Sequence, residues 1–240
     1  MKLSENRQRT PAPSQSGPAR ASRPRIEAGP PFVYLRDPDA IYRQSFALIR
    51  AEADLSRFPV EMRPIAIRLA HAAGDVSILP DLMWSPDVVG RARRALSAGA
   101  PILVDSTMLM AGINRGRLPA PNAIRCMLND PVVSAEAARL GTTRSAAAVE
   151  LWRPYLAGAV VAIGNAPTAL FHLLEILAAG APPPAAVLGF PVGFVGAAEA
   201  KAALIKFGHG LPFVALAGRR GGSALAAAAV NALTAPDPGA

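Results

Sequence analysis

Three glycine-rich turns constrain the fold of this chain more than any other feature. They are residues 164–168 (Gly-Asn-Ala-Pro-Thr), 189–196 (Gly-Phe-Pro-Val-Gly-Phe-Val-Gly) and 218–223 (Gly-Arg-Arg-Gly-Gly-Ser), and each follows an apolar run and precedes a helical stretch. Such turns lie at the carboxyl ends of parallel strands, where backbone N–H groups bind anions and glycines tolerate a close ligand. They predict a ligand with several carboxylates or phosphates. The alternative is that the glycines only permit tight turns.

The order of apolar and helical segments predicts the fold class. Five short apolar runs are typical of buried parallel strands, at residues 101–105, 123–128, 159–163, 185–188 and 212–216. Helices are predicted at 37–54, at 61–73 with Gly74 as its C-cap, at 86–98, and from Ser223 to about Leu233. We therefore expect an α/β protein with a doubly wound, mainly parallel five-stranded sheet in a three-layer α/β/α sandwich, with N-terminal helices.

The charge of +8 is distributed unevenly along the 240 residues. Residues 1–31 contain six basic and two acidic groups, a net +4, together with many prolines. We interpret residues 1–31 as a disordered basic extension and residues 32–236 as a single domain. The rest of the chain is mildly basic, with no basic run interleaved with aromatic residues, so we expect no nucleic-acid partner.

The single cysteine, Cys126, excludes an internal disulfide framework and favours a reducing compartment. No apolar stretch is long enough to span a membrane, and the N-terminus lacks the apolar block of a secretory signal. These features predict a cytoplasmic protein without a membrane partner.

The sequence does not match the common motifs that bind nucleotide cofactors or metals. The glycines of residues 189–196 have the wrong spacing for a dinucleotide fingerprint, and no acidic residue stands where a ribose hydroxyl would be held. No Gly-Lys-Ser or Gly-Lys-Thr follows a glycine loop, which excludes a Walker-type nucleotide site. Neither His172 nor His209 shows metal-ligand spacing with another ligand residue, so no metal is predicted.

His71 lies near the end of a predicted helix, where the helix dipole favours a protonated imidazolium that could donate a proton near neutral pH. The alternative is an ordinary packed or capping histidine. Ser45 shares one side of the first helix with Ile41, Leu48 and Glu52, and it lacks the sequence context of a hydrolytic nucleophile. Arg144 starts a helix capped by Thr142 or Thr143, where a cation opposes the dipole, and this placement suggests a ligand anion.

These features together resemble the precorrin-8X methylmutase family, the precorrin isomerases of cobalamin biosynthesis. The resemblance covers about residues 33–235 and rests on residues 37–55, 66–72, 141–148, 164–170, 189–199 and 218–223. It implies an isomerisation of the tetrapyrrole precorrin-8X, in which a methyl group moves between adjacent carbons of ring C by a sigmatropic shift to give hydrogenobyrinate. The family uses no cofactor.

The resemblance also implies residue roles and partners. His71 matches the catalytic proton donor. The matching substrate-binding positions are Ser45, Arg50, Arg144, Asn165, Ala166, Gly193, Gly196 and Gly221. Backbone amides of the three turns and the arginines would receive the acetate and propionate groups of the macrocycle. A homodimer with sites near the subunit interface is implied, and contacts with neighbouring pathway enzymes stay open.

The chain departs from the family pattern at Thr107, Asn114 and Pro121, which stand where an acid, a threonine and a glycine are usual. These departures concern one wall of the expected pocket. Three alternatives stay open at this point: a non-catalytic corrinoid-binding carrier, a cobalt-containing in place of a cobalt-free substrate, and a separate docking role for the basic extension.

Overall fold

The computed structural model describes residues 32–207 and 210–234. The chain divides into a unit that ends at Leu35 and a compact unit that starts at Arg36. Residues 32–35 form no helix or strand. The predictions for the N-terminal extension and for His209 concern residues outside the described ranges.

A six-stranded sheet forms the centre of the compact unit. The strand bounds are β1 Leu82–Trp84, β2 Ile102–Val104, β3 Ile124–Cys126, β4 Val160–Ile163, β5 Ala186–Gly189 and β6 Phe213–Leu216. In order across the sheet the strands are β1-β6-β5-β4-β2-β3. Strand β1 pairs antiparallel with β6, and the other neighbours are all parallel.

Nine α-helices connect and cover these strands within the described ranges. They are α1 Pro38–Glu52, α2 Arg63–Ala73, α3 Val88–Ser97, α4 Thr107–Gly112, α5 Val133–Leu140, α6 Arg144–Glu150, α7 Pro167–Ala178, α8 Ala197–Lys206 and α9 Ser223–Thr234. Short 3₁₀ turns occupy Val60–Met62, Val76–Asp81, Arg115–Arg117 and Arg153–Tyr155.

The fold class is confirmed, and the predicted strand count was wrong by one. The missed strand is β1, which has only three residues and lies between Pro80 and Pro86. So short a run shows no measurable alternation, and the neighbouring prolines are typical of a loop. It forms because its backbone pairs with the exposed edge of β6, where Met83 lies opposite Ala215.

Local capping rules account for the helix ends around the expected site. The Asp37 carboxylate accepts the N–H of Asp39, and Pro38 starts α1, as predicted. Gly74 ends α2 in the left-handed conformation, with φ 63°, as predicted. The Thr143 side chain caps α6 by accepting the N–H of Ala146. The third helix starts two residues later than predicted, at Val88.

Alternate residues of each strand point to opposite layers. Ile102, Val160 and Ala186 lie in the core that also contains buried residues of α2, α3 and α9. Leu103, Val161 and Val187 lie in the other core, beneath α7 and α8. The sheet is thus covered on both faces, as a parallel sheet requires.

The parallel strands bring four loops to one edge of the sheet. Asp105 follows β2, and the three glycine-rich turns follow β4, β5 and β6 at the same edge. Helix α2 packs along α9 and ends at Gly74. The segment that follows α2 is joined to the end of β6, because the Asp81 carbonyl accepts the N–H of Ala217. His71 therefore belongs to the region next to the third turn.

Candidate active site

His71 and Ser45 are in direct contact. The Ser45 Oγ lies 2.9 Å from the His71 Nδ1, which joins helix α1 to the last turn of α2. Both residues border the same pocket, and His71 is exposed to solvent in the single chain. Among the described residues no hydrogen-bond partner contacts the His71 Nε2, so this second ring nitrogen is the one available to a ligand.

Two aromatic residues of α1 flank the imidazole. The Tyr42 ring stacks on His71 with 5.6 Å between the ring centroids, and the Phe46 ring is tilted against it at 5.1 Å. Phe46 is buried, whereas Tyr42 is about half exposed. Because they lie one turn apart on α1, these rings and Ser45 restrict the orientation of the imidazole from one helix.

The pocket at His71 is open and small. It has a volume of about 230 Å³, and its lining includes Ser45, Leu48, Glu52, His71 and Asp75. The predicted side of α1 that carries Ser45, Leu48 and Glu52 is thus the side that faces the pocket. Pockets that enclose drug-sized ligands have roughly 300–1,000 Å³. A tetrapyrrole must therefore extend beyond this pocket.

The turn after β4 is organised by a buried carboxylate. The Asp105 Oδ1 accepts the N–H of Gly164 at 2.9 Å, and its Oδ2 accepts those of Asn165 and Ala166 at 2.8 and 2.7 Å. Burial raises the pKa of the Asp105 carboxyl, and the three donated hydrogen bonds oppose this shift. The expectation that these amides would receive substrate carboxylates needs correction, because Asp105 already occupies them.

The turns after β5 and β6 are joined to each other. The Gly193 N–H donates to the Arg219 carbonyl at 3.2 Å, and the Gly222 N–H donates to the Phe190 carbonyl at 2.8 Å. A Cβ at Gly221 would lie 2.3 Å from the Phe190 carbonyl oxygen, so only glycine permits this approach. Gly196 ends the second turn with φ 79°, in the left-handed region.

Arg220 links the third turn to the loop after α2. Its guanidinium donates to Asp75 Oδ2 at 3.3 Å, to Ser77 Oγ at 3.0 Å and to Asp81 Oδ2 at 2.7 Å. The Arg220 carbonyl accepts a hydrogen bond from the Lys201 Nζ at 2.6 Å. Lys201 is fully buried, and this burial lowers the pKa of its ammonium to about 8, although the negative charge of Asp81 opposes the shift.

Neither of the two predicted substrate arginines lines the His71 pocket. Arg144 is exposed at the start of α6 and donates to the Leu128 carbonyl and to Asn129 Oδ1. Arg50 is exposed in the last turn of α1. Thr143 Oγ1 lies 2.8 Å from Thr168 Oγ1, so the start of α6 lies beside the first glycine-rich turn. The remaining predicted positions, Asn165, Ala166, Gly193, Gly196 and Gly221, all lie in the turns at the carboxyl edge of the sheet.

The departures from the family pattern occur in and after α4. Thr107 is its first residue, directly after the helix cap Ser106. The Asn114 side chain accepts the N–H of Gly116, and its own N–H donates to Asn231 Oδ1 of α9. Asn114 therefore has a structural role here, and Pro121 lies in the irregular segment before β3.

Sequence reasoning missed four residues around the site: Tyr42, Asp105, Lys201 and Arg220. A buried polar residue directly after a strand was the available signal for Asp105. Lys201 carried a weaker signal, as one of only three lysines in the sequence.

Across the described ranges, no cluster of three or more His, Cys, Asp or Glu side chains could hold a metal ion. None of the described helices is long and apolar enough to cross a membrane.

Comparison with known proteins gives a consistent result. A family model described as precorrin-8X methylmutase matches residues 40–235. A precorrin-8X methylmutase from Sinorhizobium sp. is 58% identical, with 86% of this chain and 99% of the relative covered. One from Pseudomonas aeruginosa is also 58% identical, over 83% of this chain and 96% of the relative.

More distant relatives and solved structures agree. A cobalt-precorrin-8 methylmutase from Priestia megaterium is 35% identical, over 82% of this chain and 87% of the relative. The crystal structure of a precorrin-8X methylmutase from Thermus thermophilus aligns with a TM-score of 0.74 and 38% identity, covering 81% of this chain and 96% of the other.

Proposed function

The chain belongs to the precorrin-8X methylmutase family, and from that premise we propose that it moves a methyl group within precorrin-8X with His71 as the proton donor. The activity is that of an isomerase of cobalamin biosynthesis. The observation that carries the assignment to His71 is the Ser45–His71 contact at the border of the pocket, which occupies Nδ1 and leaves Nε2 for a ligand.

The contact supports Nε2 as the atom that transfers the proton. A protonated His71 donates through Nδ1 to Ser45 Oγ and keeps the Nε2–H for the substrate. Protonation next to ring C makes the neighbouring ring carbon electron-poor, so the migrating methyl group breaks one carbon–carbon bond and forms another. Substrate and product are isomers, and the proton therefore returns to the imidazole at the end of the cycle.

We propose fewer groups as contacts for the substrate carboxylates than the sequence analysis expected. The amides of the first turn are engaged by Asp105, which leaves the side chain of exposed Asn165 as a candidate contact. We propose that Arg50 and Arg144 bind peripheral carboxylates, because a guanidinium binds a carboxylate with two parallel hydrogen bonds. Gly193, Gly196 and Gly221 would line the approach of the macrocycle.

We propose a homodimer in which a second chain helps to enclose the substrate. The proton donor is exposed in the single chain, and its pocket is too small for a macrocycle. Apolar side chains of α1 beside the pocket, Ile41, Tyr42 and Leu48, are 45 to 52% exposed. A second chain over this surface would cover these residues and exclude water from His71.

The cobalt-free substrate is the better supported one. Both relatives that are 58% identical carry the name precorrin-8X methylmutase, whereas relatives named cobalt-precorrin-8 methylmutase are 31 to 39% identical. The single cysteine supports the proposal that the protein works in the reducing cytoplasm.

The test compares H71A with H172A in a spectral assay of precorrin-8X and its cobalt form. His172 is also on a helix, but it bonds to Glu150 and Glu175. We expect H71A to bind substrate while its kcat falls about 10²- to 10⁴-fold, the usual contribution of a general acid. H172A should retain conversion. Full conversion by H71A would refute the role of His71, and binding without conversion by the wild type would favour a corrinoid carrier.

A further inference from the structure

Lys201 is a buried charge with no evident structural need. Its side chain is fully buried in α8, and within the described ranges its Nζ donates a hydrogen bond to the Arg220 carbonyl and interacts with the negative charge of Asp81. Removing an ammonium from water is costly, and an apolar side chain of similar size would fill the same space. A buried ion of this kind is weak evidence for stability, so its effect on local geometry has to be considered.

The acceptor of this hydrogen bond lies at a junction of three segments. The next residue, Gly221, packs so closely that an added Cβ would lie 2.3 Å from the Phe190 carbonyl oxygen, and Gly222 donates to the same carbonyl. The backbone at Arg220 is thus held between Lys201 below and the second glycine-rich turn beside it. Small displacements there would move both turns.

The side chain of Arg220 connects this part of the backbone to the loop that borders the His71 pocket. Its guanidinium binds Asp75, Ser77 and Asp81 with distances of 2.7 to 3.3 Å. Asp75 borders the pocket that contains His71, four residues earlier at the end of α2. One arginine therefore joins the glycine turn through its backbone to the histidine loop through its side chain.

We propose that Lys201 and Arg220 are positioning residues that fix the third glycine-rich turn relative to His71. The inference rests on the proposed function, because it assigns them to the methyl shift. Neither residue donates the proton. Lys201 has no solvent access, and it acts through the Arg220 carbonyl. The orientation of the macrocycle over Nε2 depends on where Gly221 lies relative to His71, and misplacement of about 1 Å can lower a rate about 10²-fold.

The experiment uses K201M, with K206M as the matched control. Lys206 is exposed on the same helix, so the chemical change is the same but no buried contact is lost. We expect the kcat of K201M to fall about 10- to 100-fold with KM changed less than about twofold, since the contacts remain but the orientation is lost. Hydrogen exchange in residues 74–78 should accelerate in K201M, although Lys201 makes no hydrogen bond to these residues and its charge interaction is with Asp81, outside that range.

A second variant covers the case in which K201M does not fold. R220K keeps the backbone carbonyl and the positive charge but loses the forked contacts with the loop, and we expect the same fall in kcat. A kcat within about twofold of the K206M value, in either folded variant, would overturn the inference. A rise in KM with unchanged kcat would overturn it as well. If wild-type protein converts no precorrin-8X, the proposed function itself fails and this inference falls with it.

Discussion

At the scale of single residues, Ser45 has the clearest assigned task. Its hydroxyl contacts the imidazole at Nδ1, and the described residues provide no hydrogen-bond partner for Nε2. We expect S45A to lower kcat about tenfold with little change in KM, because the ring can then rotate away from the reacting carbon. The control is S56A, an exposed serine just after α1 whose N–H donates to Asp54. Equal activity of S45A and S56A would show that the contact does not orient the proton donor.

Lys201 gives a prediction about stability that is separate from its effect on rate. Its folded pKa of about 8 lies below the ordinary 10.5, so between these values the unfolded chain holds a proton that the folded chain has lost. Unfolding free energy of the wild type should therefore rise with pH in that window. The difference between 10.5 and about 8 is worth about 3 kcal/mol, at about 1.4 kcal/mol per pH unit.

The measurement is urea unfolding of wild type and K201M at pH 7, 9 and 10.5. We expect K201M to be the more stable protein at pH 7, by at most about 3 kcal/mol, and this advantage to shrink as the pH approaches 10.5. Other titrating groups are common to both proteins and cancel in the difference. If the difference in unfolding free energy between K201M and wild type does not change with pH, then burial does not destabilise the charged form of Lys201.

What the sequence could predict at this scale follows from distance along the chain. Helical spacing placed Ser45 with Leu48 and Glu52, and the structure has these residues along one pocket. The Lys201–Arg220 bond and the Arg220–Asp75 bond join residues 19 and 145 positions apart. No local period connects such pairs, so only the folded chain reveals them.

At the scale of elements, the glycine-rich turns differ in what glycine provides. Gly221 has no room for a side chain, because the Phe190 and Pro191 carbonyl oxygens would lie 2.3 and 2.6 Å from a Cβ.

The order β3-β2-β4-β5-β6 places the reversal of strand order between β2 and β4, where open α/β sheets usually bind ligands. Here the Asp105 carboxylate after β2 accepts the amides of the turn after β4, and the pocket with His71 is lined by α1 and the end of α2.

We expect G221A to destabilise the protein by about 2–4 kcal/mol, since backbone carbonyls cannot move aside as a flexible side chain can. G116A is the control, because the nearest atom to its new Cβ would be Asn114 Oδ1 at an ordinary 3.5 Å. Thermal unfolding of both variants measures the difference. If G221A and G116A unfold at the same temperature, then the second and third turns can move apart without a loss of stability.

Element boundaries were predictable where a local signal marked them. Asp37-Pro38 and Gly74 start and end their helices as predicted, because caps act within one turn. Strand β1 was not predictable, since its three residues are a strand only through pairing with β6. The same holds for the amides of the first turn, whose partner Asp105 lies 59 residues or more away.

At the scale of the whole molecule, the proposed role of His71 as proton donor favours a second chain that covers its exposed ring. A site that is open to bulk water leaves the reacting ring hydrated and weakens the electrostatic interactions between the ring and the proton donor. The apolar surface of α1 next to the pocket, Ile41, Tyr42 and Leu48, is where a second chain would provide that cover. The same contact would therefore determine both assembly and activity.

L48E tests this link, with V132E as the control because both side chains are 52% exposed in the single chain. A glutamate on a buried apolar interface loses its hydration without a partner, so we expect L48E to dissociate at concentrations where V132E and wild type stay dimeric. Sedimentation measures the assembly, and conversion is followed over the same dilution series. Because Leu48 also lines the His71 pocket, the readout is the dependence on concentration: the activity of L48E should fall on dilution in step with the dissociation of the dimer. A dimeric, fully active L48E would exclude the α1 surface as the interface, and a monomeric active wild type would exclude the dimer altogether.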